Sequence, residues 1–184
     1  MKKATLIRLA LGLGLVGLFA AGAGFFRPRP ALPAVVAEPD ALPVVLAKLA
    51  EWQLPCADPT NIDAKEVTAV AAAMPAELKA LDGKRVTLNG FAYPFNDDSG
   101  KLLGFLLMPT QGLCCYGKVP AAHEVVCVFP GPVKDIQLDE PIQVTGLFSA
   151  EVKNTSFAEQ GGCLMPWRLQ CETVSKLEVP VQTN

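Results

Sequence analysis

The run CCYGKVPAAHEVVC, Cys114 to Cys127, holds three of the six cysteines and the only histidine of a 184-residue chain. Thiolate and imidazole are the ligands that zinc and copper prefer, so Cys114, Cys115, His123 and Cys127 form a candidate metal set. A strand beginning near His123 would put His123, Val125 and Cys127 on one face and Glu124, Val126 and Val128 on the other. Along a straight strand His123 and Cys127 would stand about 13 Å apart, too far to share one ion. Cys114, Cys115 and His123 make a tighter set if the loop folds back, with Tyr116, Gly117 and Pro120 shaping it. The spacing matches no C-x-x-C or C-x-x-H pattern, which weakens the metal reading.

Thiol redox chemistry is a second possibility. It normally uses a low-pKa thiolate in a C-x-x-C motif. Cys114 and Cys115 are instead adjacent, and a disulfide between them would be strained and easily reduced. Structural disulfides are the third and plainest possibility, because an even cysteine count in an oxidising compartment favours bridges. Cys114 or Cys115 is expected to reach Cys127, Cys163 or Cys171, and Cys56 to tie the preceding segment to the fold. If Cys163 and Cys171 lie on one straight strand, they are too far apart to bond each other.

The compartment is read from the N-terminus, MKKATLIRLALGLGLVGLFAAGAGFF. Lys2, Lys3 and Arg8 precede an uncharged stretch, Leu9 to Phe26, and Ala21-Gly22-Ala23 resembles a cleavage site. The same eighteen residues approach the ~20 that cross a bilayer. Residues 1–26 are therefore a signal peptide or an uncleaved anchor. Either exports the remainder, which is expected to be periplasmic, inner-membrane-anchored or secreted.

Other chemistries find no support. No nucleophile elbow, phosphate-binding glycine loop or HExxH occurs, and one histidine excludes sites that need several imidazoles. The net charge of −2, without a basic stripe, argues against nucleic acid. Asp97, Asp98, Asp135, Asp139 and Glu140 read as solvated turns. Trp167 and Phe91 read as core, and Tyr93 and Tyr116 as half-buried residues beside turns.

The elements that must position these residues follow from pattern. Residues 27–43, RPRPALPAVVAEPDALP, are Pro- and Ala-rich and predict an extended linker. Residues 44–82 predict a short helical preface: a helix within PVVLAKLAEW, another over 64–73 ending before Met74-Pro75, and a third opened by Pro75. Asp82-Gly83 supplies a stop. From Lys84 the period becomes two. RVTLNGF, LLGFLLMP, HEVVCVFP, PIQVTGLF and MPWRLQCETVSKLEV predict five strands, with NDDSG as a hairpin turn and GGCLMPW as a loop. Gly90 and Gly146 close two matching apolar-x-apolar-x-Gly patterns and predict bulges or bends. The fold class is mainly β: a small antiparallel five-stranded OB-like barrel over residues 83–180.

DGKRVTLNGFAYPF, GFLLMP, GLCCYGKVPAAHEVVCV and PIQVTGLF together resemble the bacterial exported family called domain of unknown function 3299. The resemblance covers about residues 76–177. It implies a strand pair ending in an aliphatic run and proline, then a cysteine-containing loop with prolines, a polar step and a strand. Cys114 falls at the family's cysteine, Pro120 in its proline stretch and Glu124 in its polar step. Cys114-Cys115-Tyr116-Gly117 is similar to a Cys-Cys-Phe-Gly variant of the loop. His123 stands where the family usually has asparagine, so a ligand role for it is not implied. The family carries no activity over to this chain.

The expectation is a non-enzymatic exported binding or accessory protein without a cofactor, with the loop Cys114 to His123, and Cys127 beside it, forming or bracing its functional rim. It would dock to an inner-membrane transport machine and meet the membrane through its N-terminal segment if that segment is uncleaved. A zinc or copper protein using the Cys114, Cys115 and His123 loop is the alternative, and a thiol-disulfide redox protein is the second.

Overall fold

A computed structural model describes residues 31–54, 64–111, 122–129, 135–156 and 162–178. Alternation of apolar and other residues in RVTLNGFAYPFN draws out one long strand, β2 (Arg85–Asn96). Its even-numbered side chains Val86, Leu88 and Ala92 enter the main core. β3 (Leu102–Met108) returns antiparallel to it through a tight turn. Asp97 builds that turn: its Oδ1 accepts from Ser99 N at 2.9 Å, Ser99 Oγ at 2.6 Å and Lys101 N at 2.9 Å. This is the side-chain-to-backbone turn expected of Asn/Asp-rich segments.

β4 (Val126–Phe129) pairs antiparallel with β3, and β5 (Glu140–Ser149) pairs antiparallel with β2. β8 (Arg168–Lys176) lies between them, parallel to β4 and antiparallel to β5. The circuit β2-β3-β4-β8-β5 closes back on β2. This closed five-stranded barrel is the OB-like architecture predicted from the strand pattern. A separate hairpin, β6 (Lys153–Ser156) with β7 (Gly162–Met165), occupies the β5–β8 connection.

Val86, Leu88, Phe105, Leu107, Val126, Val128, Ile142, Val144, Phe148 and Leu169 fill the barrel. Burial of such side chains is the main favourable term in folding. β1 (Leu42–Val44) and three short helices, α1 (Leu46–Ala50), α2 (Ala64–Ala73) and α3 (Ala76–Lys79), precede the barrel. Leu46, Leu49, Val70, Met74 and Leu78 pack into the same core. Trp167 is buried, stacked 6.0 Å from Phe148 and edge-on to Trp52 at 5.5 Å. Its indole Nε1–H donates to the His123 carbonyl at 2.9 Å, which supplies the polar partner a buried Trp needs.

Gly146 sits at a bulge where β5 slips register against β8. A Cβ there would stand 2.1 Å from the Gln170 carbonyl oxygen, so the two backbones approach closer than any other residue permits. Gly83 closes the turn after α3 with φ +68°, a left-handed conformation suited to glycine.

Three differences from the sequence pattern have clear causes. The strand predicted over 123–130 begins only at Val126, because Ala122–Glu124 form a single 3₁₀ turn held by the Trp167 bond. The segment 161–167 is not a loop: Gly162–Met165 pair with Lys153–Ser156, so the chain breaks at Pro166-Trp167 before β8. That break removes the straight-strand premise used to separate Cys163 from Cys171. The third difference concerns the linker. From Ala31 onward the segment is part of the fold: β1 runs parallel to β2, and Asn89 Nδ2 donates to Pro33 O at 3.1 Å and Ala34 O at 3.4 Å.

Candidate functional site

The outward face of β2, β3 and β4 forms an apolar outer wall of the barrel. Strand alternation sends Tyr93 and Phe95 out of β2, Leu106 and Met108 out of β3, and Cys127 and Phe129 out of β4. Register aligns them: Tyr93 pairs with Leu106, Phe95 with Gly104, and Leu106 with Cys127. Gly104 has a positional reason. A Cβ there would lie 2.5 Å from the Phe95 ring and 2.8 Å from Val128 O, so the absent side chain lets Phe95 lie across the strands. Tyr93 and Phe129 remain 39 % and 36 % exposed, and Phe95 and Leu106 are half-buried. One end of the wall is sealed by a second apolar cluster of Met108, Val125, Cys127 and Met165, with Leu54 packed against it.

The connection from β3 to β4 carries Cys114, Cys115, Tyr116, Gly117 and Pro120, which lie outside the described residues, as does Cys56. His123 is half-buried in the 3₁₀ turn, engaged through its backbone carbonyl, and Glu124 is half-buried beside it. Val125 and Cys127 do share a face, as strand alternation predicts, but His123 precedes the strand and does not continue that row. Among the described residues no group of three or more His, Cys, Asp or Glu side chains is arranged to hold a metal ion.

Cys127 is fully buried and is a free thiol, so it is not the disulfide arm that the sequence allowed for. Burial pushes its pKa from 9.0 up to about 11, and nearby Arg168 only partly offsets this. A thiol held that far from ionisation is a poor nucleophile and a poor metal ligand at neutral pH. Cys171 is also buried, and its thiol donates to Thr173 O at 3.5 Å. Cys163 lies on β7 opposite Thr155. Arg168, which sequence reasoning passed over, is the β8 partner of Cys127. It donates from Nη2 to Glu151 O at 3.2 Å, while its buried Nε has no hydrogen-bond partner. No local motif marks it, since its position follows from the parallel β4–β8 pairing.

A family model described as a protein of unknown function, DUF3299, matches residues 48–175. A crystal structure of a DUF3299 family protein from Pseudomonas aeruginosa PAO1 is similar to this chain at 24 % identity and a TM-score of 0.50. The likeness covers 77 % of this chain and 99 % of that one, and it supports the fold. No curated protein matches. With its family match running from α1 to β8 and the same barrel in a solved relative, the chain belongs to the DUF3299 family.

Proposed function

We propose that this chain is a non-enzymatic exported binding module, and that its working surface is the outward β2-β3-β4 wall. The observation that carries the reading is the set Tyr93, Phe95, Leu106 and Phe129, aligned by strand register and left partly exposed. OB-type barrels commonly bind through this wall of their early strands and the adjoining loops. Aromatic side chains give large contact area at low entropic cost, which suits a docking surface. The partner class is an apolar segment of an inner-membrane protein, such as a transporter component, reached from the periplasmic side. Export by residues 1–26 is part of the same reading.

Site-specific photo-crosslinking in the native host tests it. A photoreactive residue at Tyr93 should give one discrete membrane-protein adduct. The same probe at Leu138, exposed on a loop, should give none. Equal labelling at both positions, or none at Tyr93, removes the reading. Stoichiometric zinc or copper in protein purified from its own compartment would replace it with the metal-binding alternative.

A further inference from the structure

The outward face on the other side of β2 is unlike the aromatic wall. Among the described residues, the buried polar side chains are Thr87, Asn89 and Thr145. All three point out of the barrel, from β2 and β5. They are buried because the segment Pro33–Pro39 lies over them.

The contacts are polar and of two kinds, to backbone groups and to one carboxylate. Asn89 Nδ2 donates to the carbonyls of Pro33 and Ala34. Thr87 Oγ1 accepts from the Glu38 backbone N–H at 3.4 Å. Arg85 donates from Nη1 to Pro39 O at 2.7 Å and from Nη2 to Glu38 Oε2 at 3.0 Å. The Thr173 hydroxyl donates to Glu38 Oε1 at 2.7 Å. The barrel thus reads backbone groups of an extended, proline-containing segment and one carboxylate within it.

Arg85, Thr87 and Asn89 are also held by side chains of the neighbouring barrel strands. Asn89 Oδ1 accepts from Gln143 Nε2 at 2.9 Å. Thr87 Oγ1 lies 2.9 Å from Thr145 Oγ1. Arg85 Nε donates to Glu172 Oε2 at 2.6 Å. Removing the segment would leave these side chains in place, and it would uncover polar groups that water can satisfy rather than the apolar core. Preorganised readers and a polar interface are what a reversible contact requires.

We infer that the β2-β5-β8 face is a peptide-recognition groove, occupied in cis by Pro33–Pro39 and able to take an extended, proline-containing acidic segment of a partner protein in its place. The tethered segment acts as a built-in competitor, because a linked ligand acts at an effective concentration in the ~mM range. The inference does not depend on the aromatic wall.

A fluorescent synthetic peptide spanning Pro30–Val44, added to the full chain and followed by anisotropy, tests it. The Glu38→Ala chain should bind the peptide at least tenfold more tightly than the unaltered chain. Adding Arg85→Ala should abolish that gain, and a peptide carrying Glu38→Gln should bind at least tenfold more weakly. Thermal melts run in parallel should show Glu38→Ala still folded. Equal binding by the unaltered and Glu38→Ala chains, or binding indifferent to Arg85→Ala, overturns the inference. So does unfolding of Glu38→Ala, which would make the segment a structural wall. Concentration-dependent dimers of Glu38→Ala would overturn the partner assignment in favour of segment exchange between copies. Failure here leaves crosslinking at Tyr93 unaffected.

Discussion

Cys127 is silent because of where it sits. Its thiol has no exposed surface, and ionising it would place a charge among Met108, Val125 and Met165. Alkylation at pH 8 should therefore be at least ~100-fold slower in the native protein than in denaturant, measured by mass spectrometry of the peptide containing Cys127. The sign of the pH effect follows. Below pH 9.0 folded and unfolded states both keep the proton; between 9.0 and about 11 only the folded state does, so Cys127 withdraws stability as pH rises through that window. Gly146 is silent in a different way, since its function is to have no side chain. Gly146→Ala pushes a methyl into the Gln170 backbone and should destabilise the barrel by at least about 2 kcal/mol in urea unfolding.

Beyond the strand ladders, single side chains join distant elements. Trp167 connects the start of β8 to the 3₁₀ turn that precedes β4, and it fills the space between Phe148 and Trp52. Trp167→Ala leaves a cavity and an unmatched His123 carbonyl, at a cost of about 3–5 kcal/mol. Because the turn carries the downstream stem of the Cys114–Cys115 connection, the same variant should also weaken any partner that depends on that connection. Both losses are read from one preparation by thermal melt and crosslinking yield. Trp167→Phe, which keeps the ring but not the donor, should recover most of the stability.

Among the described residues, acidity acts through a few carboxylates. The Thr173 hydroxyl and then Arg85 hold Glu38 below its ordinary value of 4.5, despite some burial. Burial raises Glu140, but the Lys176 ammonium at 2.5 Å and the Gln137 amide more than offset it. Ser99 and Lys101 lower Asp97. Depressed folded pKa values contribute stability above the unfolded values, and that stability is lost as pH falls through the folded ones. The melting temperature should hold above pH ~5 and drop below pH ~4. Glu38→Gln should flatten part of that drop, whereas an unchanged acid profile would show that Glu38 contributes nothing to it.

Sequence by itself determined the local features. NDDSG makes a turn because Asp97 bonds amides only two and four residues away, and the two-residue alternation of RVTLNGF and PIQVTGLF is written in adjacent positions. The five barrel strands and the helix over 64–73 were legible for that reason. Tertiary structure alone decided the rest. Thr87 and Asn89 look like ordinary solvent-facing strand residues, yet they are buried under a segment some fifty positions away. The proline-rich stretch reads as a spacer because its partners lie on three distant strands, with Thr173 separated from Glu38 by 135 residues. Cys127 faces Arg168 only because β4 and β8 run parallel. Hydrogen bonds and burial between residues so far apart leave no periodic trace in the chain; they exist only once the barrel has closed.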